Sequence, residues 1–307
     1  MNNPSPSETP VIKVTLLLVA GLLTFGLAPI LVRFATDVEP ITLAAMRTFF
    51  AAFFLIPFWL KARVSYSQLR TDGAKPYLLV AAGLALGLHF TLWIASLHYT
   101  SVASASVLVT IHPVMLIVAE SLLFKKRFRP LVWIGVFIAF GGSVLLGIAD
   151  DTHAGQFPNA LLGNILAFSA AVIFVIYFLL GRRIRQHTEW IEYVFNVYLY
   201  AAVVCIILTL IWTGGWPYIS GTALLVGIAL GVGPTIIGHG SMNYAVKYVS
   251  PTLLSTLILS EAVFAAIAAY FLFSEVPSPL SITAMLIIMA GVAFSWTRRL
   301  VKNQQIE

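Results

Sequence analysis

The chain has 307 residues, of which 60% are hydrophobic and 10% are charged. Soluble domains carry about 25% charged residues, so this composition excludes a globule whose whole surface faces water. The formal net charge of +6 would indicate a nucleic-acid or anionic partner for a soluble protein, but here the positions of the cations matter more than their sum. The single cysteine, Cys205, excludes an intrachain disulfide and CxxC-type metal sites. The composition predicts a protein that crosses a membrane many times.

Ten apolar segments follow one another along the chain, each about as long as a membrane-crossing helix needs to be. An apolar run of this length in lipid is predicted to be helical, because backbone N–H and C=O groups find no other partners there. A polar turn at 150–158 divides the first five segments from the last five. The predicted segments are 12–35, 40–60, 76–98, 102–124, 131–149, 159–181, 190–212, 221–246, 250–273 and 279–297.

The positions of Lys and Arg indicate an orientation. With the N-terminus in the cytoplasm, 16 of the 18 Lys and Arg residues fall on the cytoplasmic side. The exceptions are Arg33, which flanks an outer loop, and Arg47, which lies within the second segment. This asymmetry follows the positive-inside rule at every second loop. The sequence therefore predicts an all-α integral membrane protein of ten transmembrane helices, with both termini cytoplasmic.

The two halves of the chain are similar to each other. A shift of 149 residues superposes segments four and five on segments nine and ten without gaps. The matches include Tyr99 with Tyr248, Ser101 with Ser250, Gly142 with Gly291 and, at the ends of segments one and six, Arg33 with Arg182. Because five is an odd number of crossings, the second copy enters the membrane from the opposite face. The sequence predicts two inverted five-helix repeats, residues 1–149 and 150–307, which is typical of secondary transporters with a substrate site near the midplane.

Ionisable side chains in the middle of a bilayer are costly, so each is a candidate for function. Glu261 lies near the centre of segment nine, and the 149-residue shift pairs it with His112 in segment four. Glu261 is predicted to bind substrate or a proton; the alternative is a carboxyl group that is hydrogen-bonded to a neighbouring helix. His112 precedes Pro113, which permits a kink, and the alternative is a neutral histidine packed in the core.

Segment three carries a polar and aromatic stripe. His89, Trp93 and Ser96 share one helical face, which is predicted to face a cavity rather than lipid. Trp93 could alternatively be an interfacial anchor, but it lies away from the end of its segment. Tyr177, in segment six, is a weaker candidate for the same site.

Segment eight carries a similar pair, His239 and Asn243, shortly after the sequence Gly231-Val232-Gly233-Pro234. This glycine- and proline-rich run predicts a broken or hinged helix beside the site. The alternative is close helix packing through small residues, which the motifs Gly83-x-x-x-Gly87 and Gly227-x-x-x-Gly231 also allow.

Two charged residues could have a structural role instead of a role in substrate binding. Arg47 lies about two turns below the outer surface, where its guanidinium could bind a substrate carboxylate or extend outward to Asp37 or Glu39. Glu120 lies one turn from the lysines at 125–126 and is predicted to pair with them.

Several features together resemble a known family. They are the two five-helix repeats, Arg47, the turn at Glu275 and the sequences Asn243-Tyr244-Ala245 and Tyr248-Val249-Ser250-Pro251. The chain resembles the drug/metabolite transporter superfamily and, within it, the EamA-domain exporters, most of all the YddG-type exporters of aromatic amino acids. The resemblance implies export of small metabolites across the bacterial inner membrane. It favours a structural role for Arg47, because the family often has Arg here whatever its substrate. Lys126 departs from the pattern, since these repeats usually carry Glu there.

The leading hypothesis is a secondary exporter that moves a small zwitterion, such as an aromatic or other apolar amino acid, by alternating access. Its expected partners are the substrate and the lipid bilayer, with no cofactor and no nucleic acid, and Glu261 is the candidate for proton coupling. The alternative is a multidrug or organic-cation exporter of the same fold. An enzyme is not expected, because the sequence lacks a clustered nucleophile or metal set, and the absence of a phosphate-binding loop excludes direct use of ATP.

Overall fold

A computed structural model describes residues 11–35, 37–66, 76–100, 105, 108–109, 111–150, 159–273 and 276–296. Within these ranges the regular structure is helical. The helices are α1 (Val11–Arg33), α2 (Pro40–Tyr66), α3 (Pro76–Tyr99), α4 (His112–Leu123), α5 (Pro130–Asp150), α6 (Ala160–Ile184), α7 (Trp190–Thr213), α8 (Gly221–Leu230), α9 (Gly240–Ala245), α10 (Pro251–Ile258), α11 (Glu261–Phe273) and α12 (Pro279–Trp296). A π-helical stretch, Gly231–His239, joins α8 to α9.

Much of this helical structure is long and apolar enough to cross a membrane. Seven stretches of the described residues qualify, and the shorter apolar helices His112–Leu123 and Pro130–Leu146 accompany them. The seven are Val11–Val32, Pro40–Ala62, Pro76–Ser96, Ala160–Ile184, Trp190–Thr213, Gly221–Ala245 and Pro279–Trp296. Large apolar side chains such as Ile211 and Phe271 are 73% and 77% exposed on the outer surface of the bundle. A surface of this kind suits the hydrocarbon core of a bilayer.

The described residues cover the ten predicted helices only in part. Of the predicted segment 102–124, residues 101–104, 106–107 and 110 lie outside the described residues, and its second half forms α4. Both chain termini and Glu275 also lie outside the described residues. The ten-helix count and the cytoplasmic termini therefore stay predictions.

Segment nine, which is predicted as one helix, is divided into two helices in the structure. It consists of α10 and α11, separated by a tight turn at Leu259 and Ser260. The backbone N–H groups of these two residues donate to carbonyls three positions back, and the Ser260 hydroxyl donates to the carbonyl of Leu257 at 2.6 Å. Glu261 consequently begins a helix instead of lying in the middle of one.

The helices of the two halves pack in equivalent ways. Helix α3 packs against α6 and α7, and the continuous unit of α8, the π-helical stretch and α9 packs against α1 and α2. Helix α5 packs along α12. At this last contact a Cβ at Gly142 would meet Ile288, and a Cβ at Gly291 would meet Ala139. The 149-residue shift converts the first of these contacts into the second.

Two glycine motifs provide the closest approach between other helices. A Cβ at Gly87 would lie 2.9 Å from the carbonyl oxygen of Ala201 and would clash with Val204. A Cβ at Gly231 would lie 3.0 Å from the carbonyl oxygen of Arg47 and 2.9 Å from Cβ of Phe50. The two contacts are equivalent in the two halves. Gly87 and Gly231 are 144 positions apart, and the residues that they face on α7 and α2, Ala201 and Val204 against Arg47 and Phe50, are in both cases 154 positions apart.

The other glycine of each motif repeats the pattern. A Cβ at Gly83 would meet Cβ of Tyr200, and a Cβ at Gly227 would meet Cβ of Met46 at 2.8 Å. The interpretation of these motifs as close-packing sites is therefore confirmed. Together with the contact of α5 and α12, they make the structure a two-repeat fold.

Candidate substrate-binding site

The centre of the bundle contains a cluster of aromatic rings around His239. The His239 ring is edge-on to Phe25 at 4.9 Å and to Phe90 at 5.1 Å between centroids. It also lies 6.4 Å from the rings of Phe174 and Tyr177. Helices α1, α3, α6 and the π-helical stretch therefore meet at this residue, which is 8% exposed.

Phe174 joins two further histidines to this cluster. The His89 ring lies 5.1 Å from the Phe174 ring, and the His112 ring lies 4.7 Å from it. His89 Nδ1 is 2.9 Å from the carbonyl oxygen of Ala170, whereas the buried His112 Nδ1 has no hydrogen-bond partner among the described residues. The three histidines that the sequence flags one by one thus lie around a single phenylalanine.

Arg47 lies inside this cluster, and the interpretation that it extends outward is corrected. Its guanidinium carbon is 3.8 Å from the centre of the Phe90 ring, and Nε donates to the Thr235 hydroxyl at 3.2 Å. The side chain is only 2% exposed. The ring face and the hydroxyl hold the guanidinium inward, away from Asp37 and Glu39.

The hydroxyl group that accepts the hydrogen bond of Arg47 belongs to the π-helical stretch. Pro234 has no N–H to donate, and the Thr235 hydroxyl donates instead to the carbonyl of Leu230 at 2.9 Å. The Thr235 carbonyl accepts a hydrogen bond from the Tyr198 hydroxyl at 2.9 Å. The predicted broken helix is therefore a continuous but widened one, because side-chain hydroxyls bond to its carbonyls and stabilise the wider turn.

Asn243 and Tyr177 form a second polar pair beside the rings. The Tyr177 hydroxyl donates to Asn243 Oδ1 at 2.8 Å, and both side chains are buried. Asn243 Nδ2 has no hydrogen-bond partner among the described residues. This pair links α6 to α9.

Glu261 lies near the same centre. It is partly buried at the N-terminus of α11, where the ends of backbone N–H groups favour a negative charge. Its carboxyl group and the Arg47 guanidinium lie close enough to attract each other. An acidic and a basic side chain therefore lie near the aromatic cluster.

Trp93 and Ser96 are placed differently from the histidines. Ser96 is fully buried, and its hydroxyl donates to the carbonyl of Trp93 at 2.7 Å. Trp93 is partly buried and packs against the main hydrophobic core. Among the described residues, no ring contact joins Trp93 to His89 or the other histidines.

Sequence reasoning missed four residues of this centre. Phe25 and Phe90 supply ring contacts, and Thr235 and Tyr198 position Arg47. The two phenylalanines carry no distinguishing signal in a chain with 21 of them. Thr235 directly follows Pro234, and a hydroxyl next to a helix proline is a signal that could have found it.

The arrangement defines a class of protein. A two-repeat bundle of apolar helices with buried polar and charged groups at its centre is the architecture of a secondary transporter. The model of the EamA-like transporter family matches the chain twice, over residues 12–148 and 161–297. The chain belongs to this family, whose members are transporters rather than enzymes. It is a multi-pass membrane protein.

Individual relatives carry different substrates in their names. The chain is 24% identical to an S-adenosylmethionine uptake transporter of Rickettsia felis over 84% of the chain and 83% of that protein. It is 27% identical to the aromatic amino acid exporter YddG of Ancylobacter novellus over 62% and 69%. It is 26% identical to the pseudopaline exporter CntI of Pseudomonas aeruginosa over 92% and 96%. A further relative, an uncharacterized transporter, is matched over 63% of its length.

The fold also resembles that of a solved structure. A crystal structure of a protein with 21% sequence identity aligns with a TM-score of 0.79 over 95% of this chain and 99% of that one. At this identity the likeness concerns the fold alone.

Proposed function

We propose that the protein is a secondary exporter of the bacterial inner membrane and that it moves small zwitterions with an aromatic or apolar side chain by alternating access. Ten helices with both termini in the cytoplasm would form two inverted repeats, 1–149 and 150–307. The reciprocal register of the glycine contacts supports two related halves. The odd number of spans in each half supports their inversion.

One observation carries this proposal: the centre contains buried polar atoms that have no hydrogen-bond partner within the part of the chain that the structure describes. His112 Nδ1 and Asn243 Nδ2 have none among the described residues. Arg47 Nε donates to the Thr235 hydroxyl, and the guanidinium has four further N–H donors that could bind a ligand. Buried polar groups are almost always hydrogen-bonded, so a set of unmet ones indicates a place for a polar ligand.

The chemistry of the groups supports a zwitterion. The terminal nitrogens of Arg47 would bind a carboxylate with two parallel hydrogen bonds. Glu261 would bind the ammonium group, and Phe25, Phe90 and Phe174 would cover the apolar side chain.

The remaining candidates would have supporting roles. His112 and Asn243 would add hydrogen bonds, while His89, His239 and Tyr177 would shape the wall of the site. Trp93 and Ser96 would line the path beside it. Proton coupling through Glu261 is the last part of the proposal.

An organic-cation exporter is the second candidate. The carboxyl group of Glu261 favours it, because this group interacts with Arg47, which lies on the Phe90 ring, and a carboxylate near aromatic rings can bind an organic cation. The name of the Rickettsia felis relative, an S-adenosylmethionine transporter, is compatible with this candidate. It does not require Arg47 to contact the substrate.

Counterflow in proteoliposomes distinguishes the two candidates. We expect the wild-type protein to exchange radiolabelled tryptophan and to prefer it to tryptamine, which lacks the carboxylate. Arg47→Lys should lower the kcat/KM for tryptophan about tenfold or more, because a charged hydrogen bond contributes about 1.5–3 kcal/mol. The kcat/KM for tryptamine should change little.

The matched controls are Arg183→Lys and Glu189→Gln, which make the same changes at exposed residues outside the site. Equal exchange of tryptamine and tryptophan, with both depending on Glu261 and neither on Arg47, would identify the organic-cation exporter instead. A Glu261→Gln variant with wild-type rate and pH dependence would exclude both binding and coupling by that residue.

A further inference from the structure

An arginine holds one side of residues 246–252, which comprise the link between α9 and α10 and the first two residues of α10. We call these residues the connection. The guanidinium of Arg182, at the end of α6, donates from Nη1 to the carbonyls of Val246 at 2.5 Å, Lys247 at 3.2 Å and Val249 at 3.3 Å. These three carbonyls have one donor nitrogen in common. The Gln186 amide adds a hydrogen bond from Nε2 to the Lys247 carbonyl at 3.3 Å. The side chains at the end of α6 therefore hold this turn, and Arg182 makes most of the contacts.

A carboxylate holds the same connection from the other side. Glu120 Oε2, near the end of α4, accepts hydrogen bonds from Thr252 N at 2.9 Å and from the Thr252 hydroxyl at 2.5 Å. Its other oxygen, Oε1, pairs with Lys126 Nζ at 3.1 Å, which confirms the predicted pairing with the lysines. Glu120 is 3% exposed, and Thr252 is fully buried.

These contacts join the two halves of the protein. Glu120 and Lys126 belong to the first half, while Arg182 and the connection 246–252 belong to the second. Glu120 and Arg182 also attract each other across the connection. We call the contacts of Glu120 and Arg182 with residues 246–252 the clasp.

The clasp is continuous with the candidate substrate site. Arg185, one turn beyond Arg182, donates from Nε to the carbonyl of Asn243 at 2.9 Å. The side chain of Asn243 accepts the hydrogen bond of Tyr177 in the site. Only Tyr244 and Ala245 lie between Asn243 and the connection 246–252. Movement of the connection would therefore displace Asn243.

We propose that the clasp is the latch that keeps one end of the transport path closed, and that Glu120 and Arg182 act as positioning residues for the opening of that end. In the orientation proposed above, this is the cytoplasmic end. The clasp breaks when α10 moves away from α4. Its charged groups then meet water, which lowers the cost of breaking the contacts. The inference rests on the proposed transport function.

Thiol labelling from each side of the membrane tests the clasp without any substrate. In a Cys205→Ala background, Val246→Cys reports on the clasp end, and Leu43→Cys reports on the opposite end, near the start of α2. Both reporters are buried in the closed structure. The readout is the rate of reaction with a membrane-impermeant maleimide, measured in vesicles of each orientation.

We expect Glu120→Gln and Arg182→Gln each to raise the labelling rate of Val246→Cys about tenfold and to lower that of Leu43→Cys, because loss of a charged contact shifts the balance between the two open states. A general loss of packing would raise both rates. Lys125→Gln and Arg183→Gln, which alter exposed neighbouring charges, should change neither rate.

Unchanged rates in both clasp variants, or rates that rise at both ends, would overturn the proposal. These outcomes are separate from the fate of the proposed function. The protein could fail to exchange tryptophan or tryptamine while the clasp variants still raise the labelling rate of Val246→Cys and lower that of Leu43→Cys. This result would support the role of the clasp and contradict the proposed substrates.

Discussion

At the scale of single residues, Thr235 shows how one hydroxyl group can position a charge in an apolar bundle. It donates to the carbonyl of Leu230 and accepts from Arg47, while its own carbonyl accepts from Tyr198. The same residue therefore stabilises the π-helical stretch and orients the guanidinium. Its contribution to transport acts through Arg47, so Thr235 is a positioning residue.

A Thr235→Val variant tests this role, since valine has nearly the same shape and lacks the hydroxyl. We expect the kcat/KM for tryptophan exchange to fall about tenfold, because Arg47 loses its partner and the Leu230 carbonyl loses the hydrogen bond from the hydroxyl. The preference for tryptophan over tryptamine should decrease with it. The measurement is counterflow with each of the two substrates.

Thr209→Val is the matched control. It removes a buried hydroxyl that donates to the carbonyl of Ile41 at 3.1 Å, away from the aromatic cluster. Both variants should lose about 1 kcal/mol of stability. If Thr209→Val reduced tryptophan exchange as much as Thr235→Val, the effect would come from stability and not from the position of Arg47.

At the scale of helices, the sequence predicts location better than it predicts irregularity. Apolar runs locate the helices because length and composition decide what can cross lipid. The π-helical stretch and the turn before Glu261 depend on single hydroxyls, those of Thr235 and Ser260, which no apolar pattern reveals. The candidate site has the same limit: His89, His112 and His239 stand out in the sequence, whereas Phe174, which joins them, is only a weak candidate there.

The glycine contacts between helices make a quantitative prediction. Gly87→Ala and Gly231→Ala should each destabilise the protein by about 1–3 kcal/mol, because the added methyl group overlaps the backbone or a side chain of the facing helix. The measurement is the Tm of the purified protein in detergent.

Gly141 provides the control for this prediction. A Cβ at this position has no atom within 4 Å, so Gly141→Ala should be neutral or stabilise the helix by up to about 1 kcal/mol. A drop in Tm for Gly141→Ala as large as for the two motif variants would show that helix propensity, and not close packing, governs these sites.

At the scale of the whole molecule, the two halves are similar in backbone and different in chemistry. The register of the glycine contacts gives Arg47 of α2 the position that Ala201 has in α7. The 149-residue shift likewise pairs Glu261 with His112. A symmetric shell therefore carries one copy of each charged group, and a zwitterion that uses both would bind in one orientation. Under the proposed alternating access, the fold would alternate between two equivalent shapes while the site keeps its polarity.

The proposed inversion of the two halves leads to a topological prediction at two equivalent positions. Arg127 and Val276 are related by the 149-residue shift, and both are exposed in connections between helices. In inverted repeats these positions lie on opposite faces of the membrane, whereas in parallel repeats they lie on the same face.

In a Cys205→Ala background, we expect an impermeant maleimide to label Val276→Cys in intact cells and Arg127→Cys only after permeabilisation. Arg183→Cys, at the end of α6, should behave as Arg127→Cys does. Labelling of Arg127→Cys and Val276→Cys from one face would establish parallel repeats, and the alternating-access proposal would then lose its structural basis.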